Sequence, residues 1–292
     1  MDIVIQQIVS GLALGCIYGL IALGYSFIWN AVEIVNMAQG SFVMVGAFIY
    51  GFTLMGVMKL PFLAAFPLLI IAMGVFGILC ERIFYRPLKN AHIRTILVSL
   101  VALGMLLGNL ALIIWGPYPK SAPGPFGQTI LQVGNITISY QNIFIIVATI
   151  ALLALQTFIF QKTTLGKVLR AVAQDEATAS LMGIESDLAI SMTFAYSSIL
   201  GGIAGMLISP IFVVNTGLAN LGFKGFGACV IGSFGSIYGS FAGGLVLGAF
   251  EIFAASYVSS LYKEAIVYLL IIGFLLFRPE GLFGRRKEQS GL

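Results

Sequence analysis

The chain has 292 residues, of which 59% are hydrophobic and only 9% are charged, and its net charge is +4. Soluble domains carry about 25% charged residues, so this composition excludes an ordinary water-soluble protein. The apolar residues form runs of about 20, the length of an α-helix that crosses ~30 Å of hydrocarbon. The sequence therefore predicts an all-α, polytopic membrane protein built as a bundle of transmembrane helices.

The apolar runs predict eight or nine membrane spans within a single transmembrane domain that covers residues 1–292. The candidate spans are 5–29, 36–58, 62–84, 95–115, 141–161, 188–213, 217–237, 239–260 and 263–278. The hydrophilic connections are 85–94, 116–140, 162–187 and the tail 279–292. The count depends on 217–237, which is rich in Gly, and on the short run 263–278.

The distribution of Lys and Arg predicts the orientation. These residues gather in 85–94, in 162–187 and in the tail 279–292, whereas 116–140 holds only Lys120. Basic connections face the cytoplasm in most membrane proteins. The first three segments are therefore expected inside the cell and 116–140 outside it, in a plasma or inner membrane. Counting the spans then places the N-terminus outside and the C-terminus in the cytoplasm.

The sequence also suggests an inverted repeat. Five predicted spans precede the one that starts at 188, an odd number, so a repeat that relates the two halves would be inverted. Residues 35–51 and 219–239 each contain an Asn, a Gly and an aromatic residue, and both stretches end in Ile-Tyr-Gly. Many transporters place their pathway between such Gly-interrupted spans. Gly at these positions would also permit close helix packing, so both interpretations stay open.

Polar residues inside these interrupted spans are the candidates for a transport pathway. An ionisable side chain within a span is a functional candidate. A lysine near the membrane interface, or a glutamate close to the end of its span, would produce the same pattern without a function. The candidate pathway residues are Asn36, Gln39, Gly40, Ser41, Asn220, Lys224 and Glu251.

The connection 162–187 predicts a cytoplasmic helix that couples to another protein. Its apolar residues recur at the spacing of one helical stripe, and its charged residues lie between them. Such a stripe fits the groove of a partner, although an amphipathic helix could also rest on lipid headgroups. Gly183 is expected to end the helix. The candidate coupling residues are Leu165, Val168, Leu169, Arg170, Val172, Glu176 and Gly183.

Nothing in the sequence predicts catalysis. It has no P-loop, no Cys/His metal spacing and no triad of catalytic residues, so we expect no enzyme activity, no cofactor and no metal. If ATP drives transport, another chain hydrolyses it. An ion-coupled secondary transporter is the alternative from a different class, but Lys224 and Glu251 are few ionisable groups for a proton relay.

Four motifs resemble a known family. They are Asn36-Met37-Ala38-Gln39-Gly40, Arg86-Pro87-Leu88, the loop from Gly166 to Ile184, and Phe277-Arg278-Pro279-Glu280-Gly281-Leu282-Phe283-Gly284. Together they resemble the permeases of branched-chain amino acid ABC importers, of the LivH-like type. Permeases for urea and short-chain amides are similar and form the closest alternative.

The resemblance implies an ATP-driven importer that works by alternating access. Its partners would be a second, LivM-like permease, two cytoplasmic ATP-binding subunits and an extracytoplasmic amino-acid-binding protein, with no role for nucleic acid. The loop 162–187 would dock on an ATP-binding subunit. It departs from the common Glu-Ala-Ala-x-x-x-Gly pattern, because the position six residues before Gly183 is Ala177 and Glu176 stands one residue earlier.

Overall fold

The computed structural model describes residues 2–124, 126, 129–133, 136–278 and 280–283. Most of the tail 279–292 therefore lies outside the described residues. The helices are α1 (Asp2–Val32), α2 (Gln39–Ala47), α3 (Phe62–Cys80), α4 (Ile93–Trp115), α5 (Tyr140–Lys162), α6 (Thr164–Gln174), α7 (Glu176–Leu181), α8 (Ser186–Ile208), α9 (Leu221–Gly232), α10 (Ile237–Tyr257) and α11 (Lys263–Phe277). Two short strands, β1 (Ile130–Val133) and β2 (Ile136–Ser139), form an antiparallel hairpin.

Three helices continue or begin with a different helical geometry. A π-helix, Phe48–Val57, extends α2, and a second π-helix, Glu81–Tyr85, extends α3. A 3₁₀ turn, Arg86–Leu88, follows, and another, Thr216–Asn220, leads into α9. The first extension turns α2, which has 9 residues, into a continuous helix of 19 residues.

The prediction of an all-α, polytopic bundle is confirmed, but the span count is lower than predicted. Within the described residues, seven helices are long and apolar enough to cross a membrane: α1, α2 with its π-helical extension, α3, α4, α5, α8 and α10. The other two predicted spans are too short as helices. α9 has 12 residues and α11 has 15, which rise about 18 and 22 Å at ~1.5 Å per residue.

The predicted continuous span 217–237 is therefore wrong. The 3₁₀ turn at Thr216–Asn220 precedes α9, and a non-helical turn at 233–236 separates α9 from α10. Gly235 lies in this turn with a φ of +80°, a conformation that Gly adopts easily and that ends a helix. A hydropathy run cannot reveal such breaks because Gly, Ala and Cys contribute to it whether or not they are helical.

The centre of the bundle is formed by α1 and α8, which pack against each other. α1 also packs on α9 and α10, and α8 packs on α2 and α3. Each central helix thus packs on one short, interrupted helix and one long helix that come from the other half of the chain. The inverted repeat itself stays a prediction.

Small residues bring these helices close to both central helices. A Cβ atom on Gly15 of α1 would lie 2.8 Å from the Cα of Leu245 on α10. Around α8, a Cβ on Gly77 of α3 would lie 2.8 Å from the Cα of Ala195. Both distances are too short for a side chain, so the close packing depends on glycine, as in many membrane helix pairs.

Contacts at the two ends of the bundle separate the polar connections. Lys120 and Val214 form an antiparallel backbone pair, with both N–O distances at 2.9 Å, so the connection 116–140 lies beside the segment that precedes α9. At the other end, Asp187 at the start of α8 forms ion pairs of 2.6 Å with Arg86 and Lys89. The basic segments 85–94 and 162–187 thus share one end, which the charge distribution predicts to be cytoplasmic.

Candidate functional site

The first turns of α2 and α9 meet inside the bundle. Gly40 of α2 and Gly222 of α9 face each other, and a Cβ on Gly222 would lie 2.6 Å from the Cα of Gly40. A side chain at either position would push the two helices apart. Both helices therefore start from one point in the interior, which we call the α2–α9 junction (residues 36–41 and 219–224).

Asn36 organises the non-helical segment that enters α2. Its side chain is fully buried, its Oδ1 accepts a hydrogen bond of 3.1 Å from the backbone N–H of Ala38, and its Nδ2 donates one of 3.4 Å to Oε1 of Gln39. Asn commonly forms such local turns. Non-helical backbone inside a membrane protein is tolerated where it is buried in protein or lines a cavity. Here the side chain supplies a polar partner within the protein.

Gln39 and Ser41 connect the junction to the surrounding helices. Nε2 of Gln39 donates to the carbonyl oxygen of Ser197 at 3.1 Å, and Oγ of Ser197 lies 2.8 Å from Oε1 of Gln39. The same hydroxyl lies 2.9 Å from the carbonyl oxygen of Gly24 on α1. Ser41 donates to the carbonyl oxygen of Gly104 on α4 at 3.2 Å. The predicted residues Asn36, Gln39, Gly40 and Ser41 are thus brought together, but their side chains are buried.

Asn220 lies on the other side of the junction and is exposed. Two large apolar side chains beside it are exposed as well, Met37 and Phe223. The junction therefore presents one amide and two apolar side chains at the surface of this chain. Sequence reasoning missed Met37 and Phe223, because nothing in an apolar run distinguishes a residue at the junction from one in contact with lipid.

Lys224 and Glu251 pair with each other. Nζ of Lys224 lies 2.7 Å from Oε1 of Glu251, and both side chains are buried. Oη of Tyr18 on α1 donates to the other carboxylate oxygen at 2.8 Å. Lys224 also lies 3.7 Å from the exposed Glu264. The structure therefore connects α9 to α10 and α1 through this pair, and Lys224 does not extend towards the membrane interface as an isolated cation.

The helix α6 forms where the sequence predicts an amphipathic helix. Oγ1 of Thr163 accepts a hydrogen bond of 3.3 Å from the N–H of Gly166 and caps its first turn. Gly183 follows α7 with a φ of +82°, which suits a glycine that ends a helix. The side chains of the predicted residues Leu165 and Glu176 lie outside the described part of the chain.

The apolar stripe of α6 faces this chain itself. Val172 is buried against Ala179 of α7 and Ala189 of α8, and Val168 and Leu169 pack on the same cluster. The side chain of Val172 is therefore not available to a partner groove in this structure, and the coupling role of the stripe stays a prediction. Amphipathic spacing shows that a helix has one apolar face, but the spacing contains no information about which surface covers that face.

Two apolar residues that this end of the bundle exposes strongly are Leu181 and Met182, whose exposed fractions are 87% and 80%. They lie at the end of α7, directly before Gly183, and Arg170 of α6 is exposed as well. Sequence reasoning predicted Arg170 but missed Leu181 and Met182. The signal was a pair of large apolar residues next to a helix-ending glycine, in a segment predicted to leave the membrane.

Three comparisons with known proteins bear on this site. Residues 7–275 match the family described as "Branched-chain amino acid transport system / permease component". The chain is 35% identical to the high-affinity branched-chain amino acid transport system permease protein BraD of Pseudomonas aeruginosa, over 98% of this chain and 97% of that protein. It is 32% identical to the permease protein LivH of Salmonella typhimurium, with the same shares covered. A solved structure, PsaBC from Streptococcus pneumoniae in complex with Fab, is 15% identical with a TM-score of 0.48, covering 94% of this chain and 90% of that one.

Proposed function

The chain belongs to the family of permease components of branched-chain amino acid transport systems, and on that premise we propose that it is the membrane subunit of an ATP-driven importer. Its cargo would be leucine, isoleucine, valine or another hydrophobic amino acid. The observation that carries the proposal is the match over residues 7–275, together with near full-length similarity to permeases named for this transport. A urea or amide permease and an ion-coupled transporter are less well supported.

In this proposal the α2–α9 junction borders the transport pathway. Asn36, Gln39 and Ser41 hold the junction in shape through buried hydrogen bonds, and Asn220 presents its amide at the surface of the chain. A second permease subunit would cover that surface, so that the pathway runs between two chains. Alternating access would then come from rocking of one helix bundle against the other around a site at this interface.

The ATP-binding subunits would bind at the end of the bundle that carries α6 and α7. Two ATP-binding subunits would contact the permease pair, and the exposed Leu181 and Met182 supply an apolar contact for one of them. Movement of α7 would reach α8 through the cluster around Val172, Ala179 and Ala189. Because α8 contacts both α2 and α3, this cluster links the docking contact to the junction. At the opposite end, an amino-acid-binding protein would deliver the cargo.

The test is transport by a reconstituted system. Proteoliposomes that contain this chain with a second permease, the ATP-binding subunits and the binding protein encoded beside it are expected to accumulate radiolabelled leucine only when ATP is present. Vanadate should stop the accumulation, and urea or acetamide should not compete. Uptake driven by a sodium gradient without ATP would contradict the proposal and support the ion-coupled alternative.

A further inference from the structure

A cavity of about 370 Å³ lies where α6 meets the transmembrane bundle. Its walls come from the end of α1, the end of α5, α6, α8 and the turn before α10. Arg170 and Leu169 of the connection 162–187 line it, so it lies at the end of the bundle that carries the basic connections. The volume is within the range of about 300–1,000 Å³ that small-molecule sites occupy.

Two opposite charges border this cavity. Glu33 comes from the residue after α1, and Arg170 comes from α6. Within the described part of the chain, neither forms an ion pair with another residue. Glu33 has a φ of +53°, which is uncommon for a residue other than Gly. An acidic residue and an arginine therefore border the same cavity.

The remaining walls are largely apolar. Phe27 and Phe160 stack edge to face with a centroid distance of 4.3 Å, and Leu169 and Ile237 complete this side. The cavity therefore offers a cation, an anion and an aromatic floor together. Small-molecule sites typically combine apolar walls with a few polar groups that fix the orientation of the ligand.

We propose that this cavity, formed by Glu33, Arg170, Phe27, Phe160 and Leu169, binds a free α-amino acid with an apolar side chain. The guanidinium of Arg170 pairs with the carboxylate of the ligand, Glu33 accepts hydrogen bonds from its ammonium group, and the side chain of the ligand packs on the two phenyl rings. The ligand class is inferred from the two opposite charges and the apolar walls. A neutral apolar compound would leave both charges without a partner. A simple anion would pair with Arg170 but would be repelled by the carboxylate of Glu33.

Occupancy of this site has a consequence for transport, and this step rests on the proposed function. The ligand connects Glu33, next to α1, with Arg170 on α6, so it fixes α6 against the central helix. If α6 and α7 transmit the movement of the ATP-binding subunits, the bound amino acid slows the cycle. Vesicles loaded with leucine on the α6 side should then import more slowly than empty ones.

The binding itself is tested on the isolated chain in lipid nanodiscs. The chain contains two tryptophans, and Trp29 borders the cavity whereas Trp115 lies at the end of α4. In a Trp115→Phe background, L-leucine is expected to cause a saturable change in the fluorescence of Trp29. Equilibrium dialysis with radiolabelled leucine measures the same binding independently. 4-Methylpentanoate, which lacks the ammonium group, is expected to bind at least about tenfold more weakly.

Two variants locate the site. Glu33→Gln removes the anion at nearly constant size and should weaken leucine binding about tenfold, which is the effect of ~1.4 kcal/mol. Ala173→Phe places a phenyl ring into the cavity and should abolish binding. Glu185→Gln, an exposed glutamate at the same end of the bundle but outside the cavity, should bind like the parent. No retention of leucine in dialysis overturns the proposal, and so does binding that is unchanged in both Glu33→Gln and Ala173→Phe. If the isolated chain binds leucine but the reconstituted system shows no ATP-driven leucine uptake, the proposed function is contradicted and the binding site is not.

Discussion

Lys224 and Glu251 form a buried ion pair of 2.7 Å that connects the short helix α9 to α10. Tyr18 completes the group from α1 with a hydrogen bond of 2.8 Å to the same carboxylate. A charge in such surroundings is tolerated when it is paired and hydrogen-bonded, and it becomes costly when its partner is removed. The pair therefore fixes the position of α9, which has only 12 residues of its own.

We first predict that Lys224→Met destabilises the protein by about 3–5 kcal/mol, because it leaves the carboxylate of Glu251 buried without a cation. The measurement is thermal or denaturant unfolding in detergent. The double variant Lys224→Met/Glu251→Leu removes both charges and should recover most of the loss. If the single variant is as stable as the wild type, Lys224 does not hold α9 in place.

Second, Gly40→Val should separate α2 from α9, because the Cα atoms of Gly40 and Gly222 leave no room for a side chain. The expected loss is at least about 1–3 kcal/mol of stability, the usual cost of overpacking, together with loss of leucine uptake. Gly108→Val on α4 is the matched control, since a Cβ there meets nothing within 4 Å. Equal effects of the two substitutions would show that close approach at the junction is not the cause.

Third, the double variant Leu181→Asp/Met182→Asp should insert and fold normally, yet lose ATP-driven uptake. Both side chains are exposed, so the change costs little stability, but it places two charges in the proposed apolar contact with an ATP-binding subunit. Co-purification with that subunit measures the contact directly. Met58→Asp, an exposed position between α2 and α3, serves as the control. Intact co-purification of the double variant would exclude this contact.

Fourth, Val172→Asp should disrupt the packing of α6 against α7 and α8 within this chain. It should not act by removing a contact with a partner protein. Val172 is 4% exposed and contacts Ala179 and Ala189, so an aspartate there buries a charge with no cation near it in the cluster. Limited trypsin digestion should cut faster at Lys167 and Arg170 in this variant. Val172→Ile, which keeps the side chain apolar, should retain the wild-type pattern. Unchanged protection of the aspartate variant would mean that Val172 is not buried in solution.

The sequence was sufficient for the class of the protein but not for its internal breaks. The number of apolar residues in a run predicts α4 and α5 well, because these helices are long and largely exposed to lipid. It failed at 217–237, where Gly222, Gly225 and Gly235 interrupt a run that is apolar on average. Hydropathy measures transfer into hydrocarbon, and it does not register where the backbone stops being helical.

The site was only partly predictable for a similar reason. Asn36, Gln39 and Gly40 are close in sequence, so a polar cluster at the start of a span could be recognised. The contact of Gly40 with Gly222 and the pairing of Lys224 with Glu251 join residues that are far apart along the chain. A single sequence does not reveal which residues far apart along the chain are in contact. The same holds for Val172, whose apolar face is covered by α7 and α8 rather than by another protein.

The pairing of Lys120 with Val214 is made by backbone atoms alone. A change of side chain at Lys120 therefore leaves the two hydrogen bonds in place. The connection 116–140 then stays attached to Val214, which lies in the segment before α9. Proline is the one substitution that removes a backbone N–H group, so it would break one of the two hydrogen bonds. A library of all substitutions at position 120 should thus tolerate most residues and reject proline, whereas position 214, whose side chain is fully buried, should reject charged residues as well.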